Sequence, residues 1–157
     1  MMQTQMLIDF DTPFIMGEIK EAVVRGVSAT NFELQSRIKI KLSQPGSGHP
    51  RKNGTRASAP GEPPAPDTGD LKRSFSGAGV TRVIKQITQV KGRVRQGAPH
   101  KTKKYAFALE YGYSPRNLEP RPFIGPVVRE AIADDVATRL IGIQVGVTAD
   151  RLNQMYQ

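Results

Sequence analysis

The chain of 157 residues contains no cysteine and only two histidines. Without thiols there can be no disulfide and no thiolate metal site. No run of about 18 apolar residues occurs, so no membrane-spanning helix and no membrane contact are expected. The opening residues, Met1 to Phe10, have no basic stretch and no small-residue cleavage site, so no signal peptide is expected either. These absences fit assembly in a reducing cytoplasm. His49 and His100 each stand beside proline or basic residues, with no carboxylate at ligand spacing. No nucleophile-elbow motif supports a Ser–His–acid triad. Gly77-Ala78-Gly79 lacks the further glycines of a dinucleotide loop, and the stretch from Gly46 to Lys52 lacks the Gly-Lys-Ser/Thr ending of a phosphate loop. Asp134 and Asp135 are neighbours on an expected helix and point to different faces, which does not suit paired carboxylate catalysis. The expectation is a protein that is not an enzyme and takes no cofactor or metal.

Acidic residues are also scarce, but only in one place. Between Ser43 and Lys104 stand thirteen lysines and arginines against three acids, Glu62, Asp67 and Asp70. The whole chain has 23 basic and 14 acidic residues, so the flanks hold ten and eleven. The flanks are those of an ordinary protein, and the middle is a concentrated cationic surface. An apolar share of 38%, with 15 glycines and 12 prolines, points to a modest core with long extensions. The length suits one domain, residues 1–157.

From Thr12 to Leu42 apolar residues recur at three- and four-residue steps (Ile15, Ile19, Ala22, Val23, Gly26, Val27, Thr30, Leu34, Ile38), which predicts one long amphipathic helix with Pro13 in its first turn. Gly26 allows a kink or a close crossing. Gln44 to Pro50 then breaks the helix. The segment at about 43–67 reads as an extended Pro/Gly-rich basic arm, with Pro60, Pro63, Pro64 and Pro66 removing backbone donors. Asp67 or Thr68 is expected to cap a short helix from Gly69 to Phe75. Val80 to Val90 predicts a strand, Val90 to Arg93 a turn, and Arg93 to Gln96 a short returning strand. Tyr105 to Tyr111 fits a short helix or a strand. Val127, Val128, Ala131, Ile132, Val136, Leu140 and Ile143 form the stripe of a last long helix, weakened at its end by Gly142 and Gly146, with a short helix or tail at 148–156. The fold class expected is α+β: a small antiparallel sheet packed against a long N-terminal helix and a C-terminal helix.

Three elements recur in a known order. They are Pro63-Pro64-Ala65 with Thr68-Gly69, Leu71 and Ser74; then Tyr105-Ala106 with Leu109-Glu110-Tyr111-Gly112; then Arg121-Pro122-Phe123 with Pro126. From Ser58 to Ala131 the chain resembles the small head–tail joining proteins of long-tailed bacteriophages, neck or tail-completion components whose copies form a ring between portal and tail. Tyr113 and the insert through Glu119 depart from the family pattern, which usually has a small residue after the glycine. The resemblance favours a helix ending at Gly112. It implies a structural virion protein, assembled in the host bacterial cytoplasm, whose partners are copies of itself and neighbouring neck and tail proteins. A tail-terminator ring and a free non-specific DNA-binding protein are the alternatives.

Site expectations follow. Inter-subunit arm residues are Pro60, Glu62, Pro63, Pro64, Pro66, Thr68 and Leu71. A basic surface comprises Arg51, Lys52, Arg56, Arg93, Arg95, Lys101, Lys103 and Lys104. It has three readings: contact with the DNA backbone in a channel, docking to an acidic protein surface, or a solvated face without a partner. The lack of interleaved aromatics argues against single-strand binding, and no helix-turn-helix or finger pattern supports base reading. Tyr111, Tyr113 and Phe123 are candidate interface aromatics, with core packing as the alternative role. Deletion of residues 46–66 is expected to leave the domain folded.

Overall fold

Helix α1 (Thr12–Lys41) is the scaffold on which everything else is built. The computed structural model describes residues 12–76, 81–85, 89–94 and 100–157, the side chains of 81, 82 and 100–104 excepted. At 1.5 Å per residue, α1 spans roughly 45 Å. After it come α2 (Asp70–Arg73), strands β1 (Thr81–Lys85) and β2 (Val90–Val94), α3 (His100–Tyr111), a 3₁₀ turn (Ser114–Arg116), α4 (Ile124–Ala133) and α5 (Val136–Met155). The architecture is α+β, as expected: a long N-terminal helix, a two-stranded antiparallel sheet and C-terminal helices.

Two glycines let α1 be covered from two sides. On one side α5 runs antiparallel to it: Arg151 pairs with Glu18, and Arg25 Nη2 donates to Thr148 Oγ1 (2.9 Å). At the crossing, a Cβ on Gly26 would lie 2.5 Å from Ile141 Cα, so only glycine permits the approach. Of the two roles expected for Gly26, the close crossing is the one observed, and α1 continues unbroken. On the other side lies the sheet, where a Cβ on Gly92 would fall 2.6 Å from Asn31 Oδ1 and 2.8 Å from Val27 Cγ1. This corrects the expected turn at Val90–Arg93. Those residues lie within β2, where Gly92 pairs with Val83. Glycine inside a strand here marks close approach of another element. Of the expected returning strand, Arg95 and Gln96 lie outside the described residues. Burial from two sides also explains why Asn31 and Gln35, which no apolar stripe includes, are buried.

The expected single last helix is two helices. The chain breaks at Asp134-Asp135, where Asp135 adopts a left-handed conformation (φ 51°, ψ 38°). Aspartate tolerates this region better than most residues. Gly142 and Gly146, expected to weaken the end, instead lie inside a helix that runs on to Met155. Arg37 of α1 bridges the corner, donating to Asp134 Oδ2 at 2.6 Å as well as to Glu33 at 2.8 Å.

The main apolar cluster sits at the C-terminal end of α1. Ile38 and Leu42 meet Phe75, Ala106, Leu109, Phe123 and Val127, with Leu34, Leu71, Val94, Leu118 and Ile124 packed around them. The rings of Phe75 and Phe123 meet edge to face, with centroids 6.0 Å apart, a favoured aromatic geometry. Helices α1, α2, α3 and α4 and strand β2 each contribute a residue to this cluster.

Candidate contact surface

The segment at 43–67 folds back on itself instead of extending. Gly48 N–H donates to Ala57 O (2.8 Å), Ala57 N–H to His49 O (2.9 Å) and Arg51 N–H to Thr55 O (2.7 Å), so residues 48–57 form a small antiparallel loop with a Pro50–Arg56 bridge. Gly46 lies under it, where a Cβ would sit 2.1 Å from Ala57 O. Glu62 closes the base: its carboxylate accepts from Ser47 N (3.1 Å), Ser47 Oγ and Ala59 N (2.8 Å). These bonds, the Ser47 hydroxyl first and the Ala59 and Ser47 amides next, hold the Glu62 carboxyl below its ordinary pKa. Gly61 N–H ties the loop to Pro120 O (3.0 Å). Ser58, Pro64 and Ala65 are buried, Pro63 half-buried, and Pro60, Pro66 and Thr68 exposed. Leu71 packs on the main cluster. The prolines therefore cover the core as well as face solvent. Deleting residues 46–66, expected to leave the domain folded, would remove the buried Ser58, Pro64 and Ala65.

Capping of α2 also differs from expectation. The residue before the helix is Gly69, left-handed at φ 76°, which has no side chain to cap it, so the side-chain bond to the helix start comes from a residue earlier. Thr68 Oγ1 instead accepts from Asp70 N (3.3 Å) and donates to Asp70 Oδ2 (2.6 Å). That bond, then Arg73, lowers the Asp70 pKa.

The second and third sequence elements join through one carboxylate. Glu110, near the end of α3, accepts from Phe123 N (2.8 Å), Ile124 N (3.0 Å) and Gly125 N (2.7 Å). These are the orphan donors at the start of α4, normally satisfied by a local cap. Here the cap comes from thirteen to fifteen residues away. Arg121 N–H donates to Leu109 O (2.6 Å), completing the join. Gly112, left-handed at φ 82°, ends α3, and the bonds Tyr113 N to Leu118 O (2.8 Å) and Leu118 N to Tyr113 O (3.2 Å) close the intervening loop. The helix ending at Gly112 is as the resemblance favoured.

This join sorts the aromatics. Phe123 is completely buried, so its expected role at an interface is corrected: it is a core residue, packed edge to face against Phe75, with its backbone amide bonded to Glu110. Tyr105, Phe107, Tyr111 and Tyr113 are instead 54, 67, 68 and 46% exposed. Phe107 and Tyr111 are one turn apart with ring centroids separated by 4.8 Å. Tyr105, Phe107 and Tyr113, with Ala108, Gly112, Arg116 and Leu118, line an apolar concavity of about 890 Å³. An exposed aromatic face of this kind marks an interaction site more often than a free surface.

Of the expected basic surface, the described side chains stand on two parts of the chain, the 48–57 loop and β2. Lys52 and Arg56 are exposed on the loop, whereas Arg51 is tied down by Pro66 O (2.9 Å) and stands 4.0 Å from Asp67. Arg93 is exposed on β2, whose neighbour Gly92 packs against the middle of α1. Arg95 lies outside the described residues. Lys101, Lys103 and Lys104 belong to the first turns of α3, and their side chains lie outside the described set. Among the described residues no group of three His, Asp or Glu side chains could hold a metal ion, and no helix is long and apolar enough to cross a membrane.

No protein-family model, curated protein or solved structure matches the chain. Glu62, Glu110 and Arg121 carry much of the local construction, and sequence reasoning assigned none of these roles. Only the capping pattern in Leu109-Glu110-Tyr111-Gly112 could have hinted at one, and it gives no sign of a helix start thirteen residues on.

Proposed function

We propose that this chain is a non-enzymatic structural subunit of a homo-oligomeric ring in a bacteriophage neck, joining the DNA-filled head to the tail. Its place is the virion, after assembly in the host cytoplasm. Its partners are copies of itself and the adjoining neck and tail proteins, with non-specific contact to channel DNA through the exposed cations. It takes no cofactor.

The supporting observation is the convergence of the three sequence elements that carry the resemblance. Leu71 and Phe75, Ala106 and Leu109, and Phe123 and Val127 share one apolar cluster, and Glu110 and Gly61 bond the elements together. The motif is thus one physical unit, and it holds the exposed aromatic face of α3 on a rigid base. A repeated head-to-tail contact through such a face closes into a ring under cyclic symmetry.

Negative-stain imaging of the purified chain tests the reading. Rings are expected, and Phe107→Ser with Tyr111→Ser should leave the fold intact but abolish rings and the joining of heads to tails. A wild-type protein that stays monomeric and binds duplex DNA with steep salt dependence would overturn it in favour of a free DNA-binding protein. Rings found capping isolated tails would place the chain at the tail terminus.

A further inference from the structure

We infer that the outward face of α5 pairs with the same face of a second copy of this chain, the two helices antiparallel about a two-fold axis. Ile141 and Thr148 turn towards α1. On the side of α5 away from it stand Arg139, Gly142, Ile143, Gly146, Val147 and Asp150, at the three- and four-residue steps of one helix face. All six are exposed, Ile143 at 53% and Val147 at 64%. A Cβ placed on Gly142 or Gly146 would meet nothing within 4 Å among the described residues. Glycine inside a helix lowers its stability relative to alanine. At Gly26 the crossing of α5 uses the missing side chain, whereas at Gly142 and Gly146 nothing in the described chain does. The face is thus two apolar knobs beside two open notches, with a charge of opposite sign at each end.

The order of these residues selects the occupant. In an antiparallel pair centred between Gln144 and Val145, Ile143 of one copy meets Gly146 of the other, and Val147 meets Gly142. The same register sets Arg139 against Asp150 at both ends. Within one chain these two lie roughly 16 Å apart along the helix, too far to meet. Neither side chain has an ion pair among the described residues. A parallel pair would put Arg139 beside Arg139, and a shift of one turn loses both ion pairs. Charge complementarity therefore selects one orientation and one register. A second copy supplies both halves at once, as an isologous contact requires. A single helix pair is smaller than the roughly 1,200–2,000 Å² interfaces of stable complexes, so copies pair at high concentration and separate on dilution. The aromatic face of α3 belongs to another element, so this contact goes beyond the ring reading and does not rest on it.

Full-length protein carrying Phe107→Ser and Tyr111→Ser, which removes the α3 ring contact, is followed by sedimentation velocity across a micromolar concentration series, beside the wild type. A monomer–dimer equilibrium is expected in the double variant. Adding Gly146→Gln fills a notch and should weaken pairing roughly ten-fold, with the circular dichroism unchanged because that position is open within the chain. Adding Arg139→Asp or Asp150→Arg should each weaken self-pairing several-fold. An equimolar mixture of those two should restore the dimer, because each presents the charge that the other lacks. A monomer throughout the series, a dimer indifferent to Gly146→Gln, or a mixture that fails to pair each overturns the inference. So does a monomer in which Gly146→Gln abolishes the joining of heads to tails, which would give the face to a different neck protein. Rings in the wild type with a monomeric double variant would sink the α5 contact alone, and a dimer with no rings would sink the ring reading alone.

Discussion

Replacing Glu110 should unfasten α4 from α3, and the size of the effect follows from the three bonds. Phe123 and Ile124 N–H both address Oε2, at 2.8 and 3.0 Å, and Gly125 N–H addresses Oε1 at 2.7 Å. All three are helix-start donors with no intrahelical acceptor. Loss of an ordinary cap costs about 0.5–2 kcal/mol. A carboxylate at a helix N-terminus adds roughly 0.3–1 kcal/mol, and up to about 2 where it is partly buried. These terms overlap, so Glu110→Ala should cost about 1–4 kcal/mol out of a typical 5–15 kcal/mol for a domain. For a chain of this size that lowers Tm by roughly 2–16 °C. Glu110→Gln keeps one acceptor oxygen but turns an NH₂ towards the remaining donors, so it should fall between wild type and Glu110→Ala. Urea and thermal unfolding followed by circular dichroism measure both variants. Amide exchange at Ile124 and Gly125 should rise in parallel. If Glu110→Ala unfolds within about 0.5 kcal/mol of wild type, the carboxylate is not what holds these elements together, and the account of the motif as one physical unit fails.

The glycines give a contrast in sign. Gly26→Ala should destabilise by about 1–3 kcal/mol, because its Cβ would meet Ile141 Cα at 2.5 Å. Gly142→Ala and Gly146→Ala meet nothing within 4 Å and should each stabilise by roughly 0.4–1 kcal/mol; equal effects at all three positions in urea unfolding would contradict the α1–α5 crossing. The Glu62 lock should open in acid. Its pKa is lowered in the folded state, so its contribution is fully present above the ordinary glutamate range and is lost as pH falls below that range, through the depressed value. Amide shifts of Ser47 and Ala59 should move together in that window and stay flat in Glu62→Gln.

Periodicity made the helical parts of this chain legible. The three- and four-residue spacing from Ile15 to Ile38 is local information, and it specifies α1 whatever packs on it. Val127, Ala131 and Val136 were equally visible as buried positions, although the break between α4 and α5 was not, since Asp135 enters the left-handed region only where the next helix must turn back onto α1. Gly92 shows the other limit. In one dimension a glycine among lysine, arginine and valine reads as a turn; in three it is the point where β2 touches Asn31 and Val27.

The contact surface divides in the same way. Charge, proline content and the order of the three elements belong to the sequence alone, and they determined that residues 43–67 form an unusual Pro- and Gly-rich segment at the start of a cation-rich middle, on an ordinary scaffold. Whether that segment reaches outward or folds inward depends on bonds between residues far apart, such as Glu62 to Ser47 and Gly61 to Pro120. Which aromatics are core and which are surface depends on long-range packing, which sets Phe123 against Phe75 in the core and leaves Phe107 and Tyr111 exposed. Composition and spacing record what a chain can do locally; hydrogen bonds and close contacts between distant segments exist only once the chain has closed, and here they decided the surface.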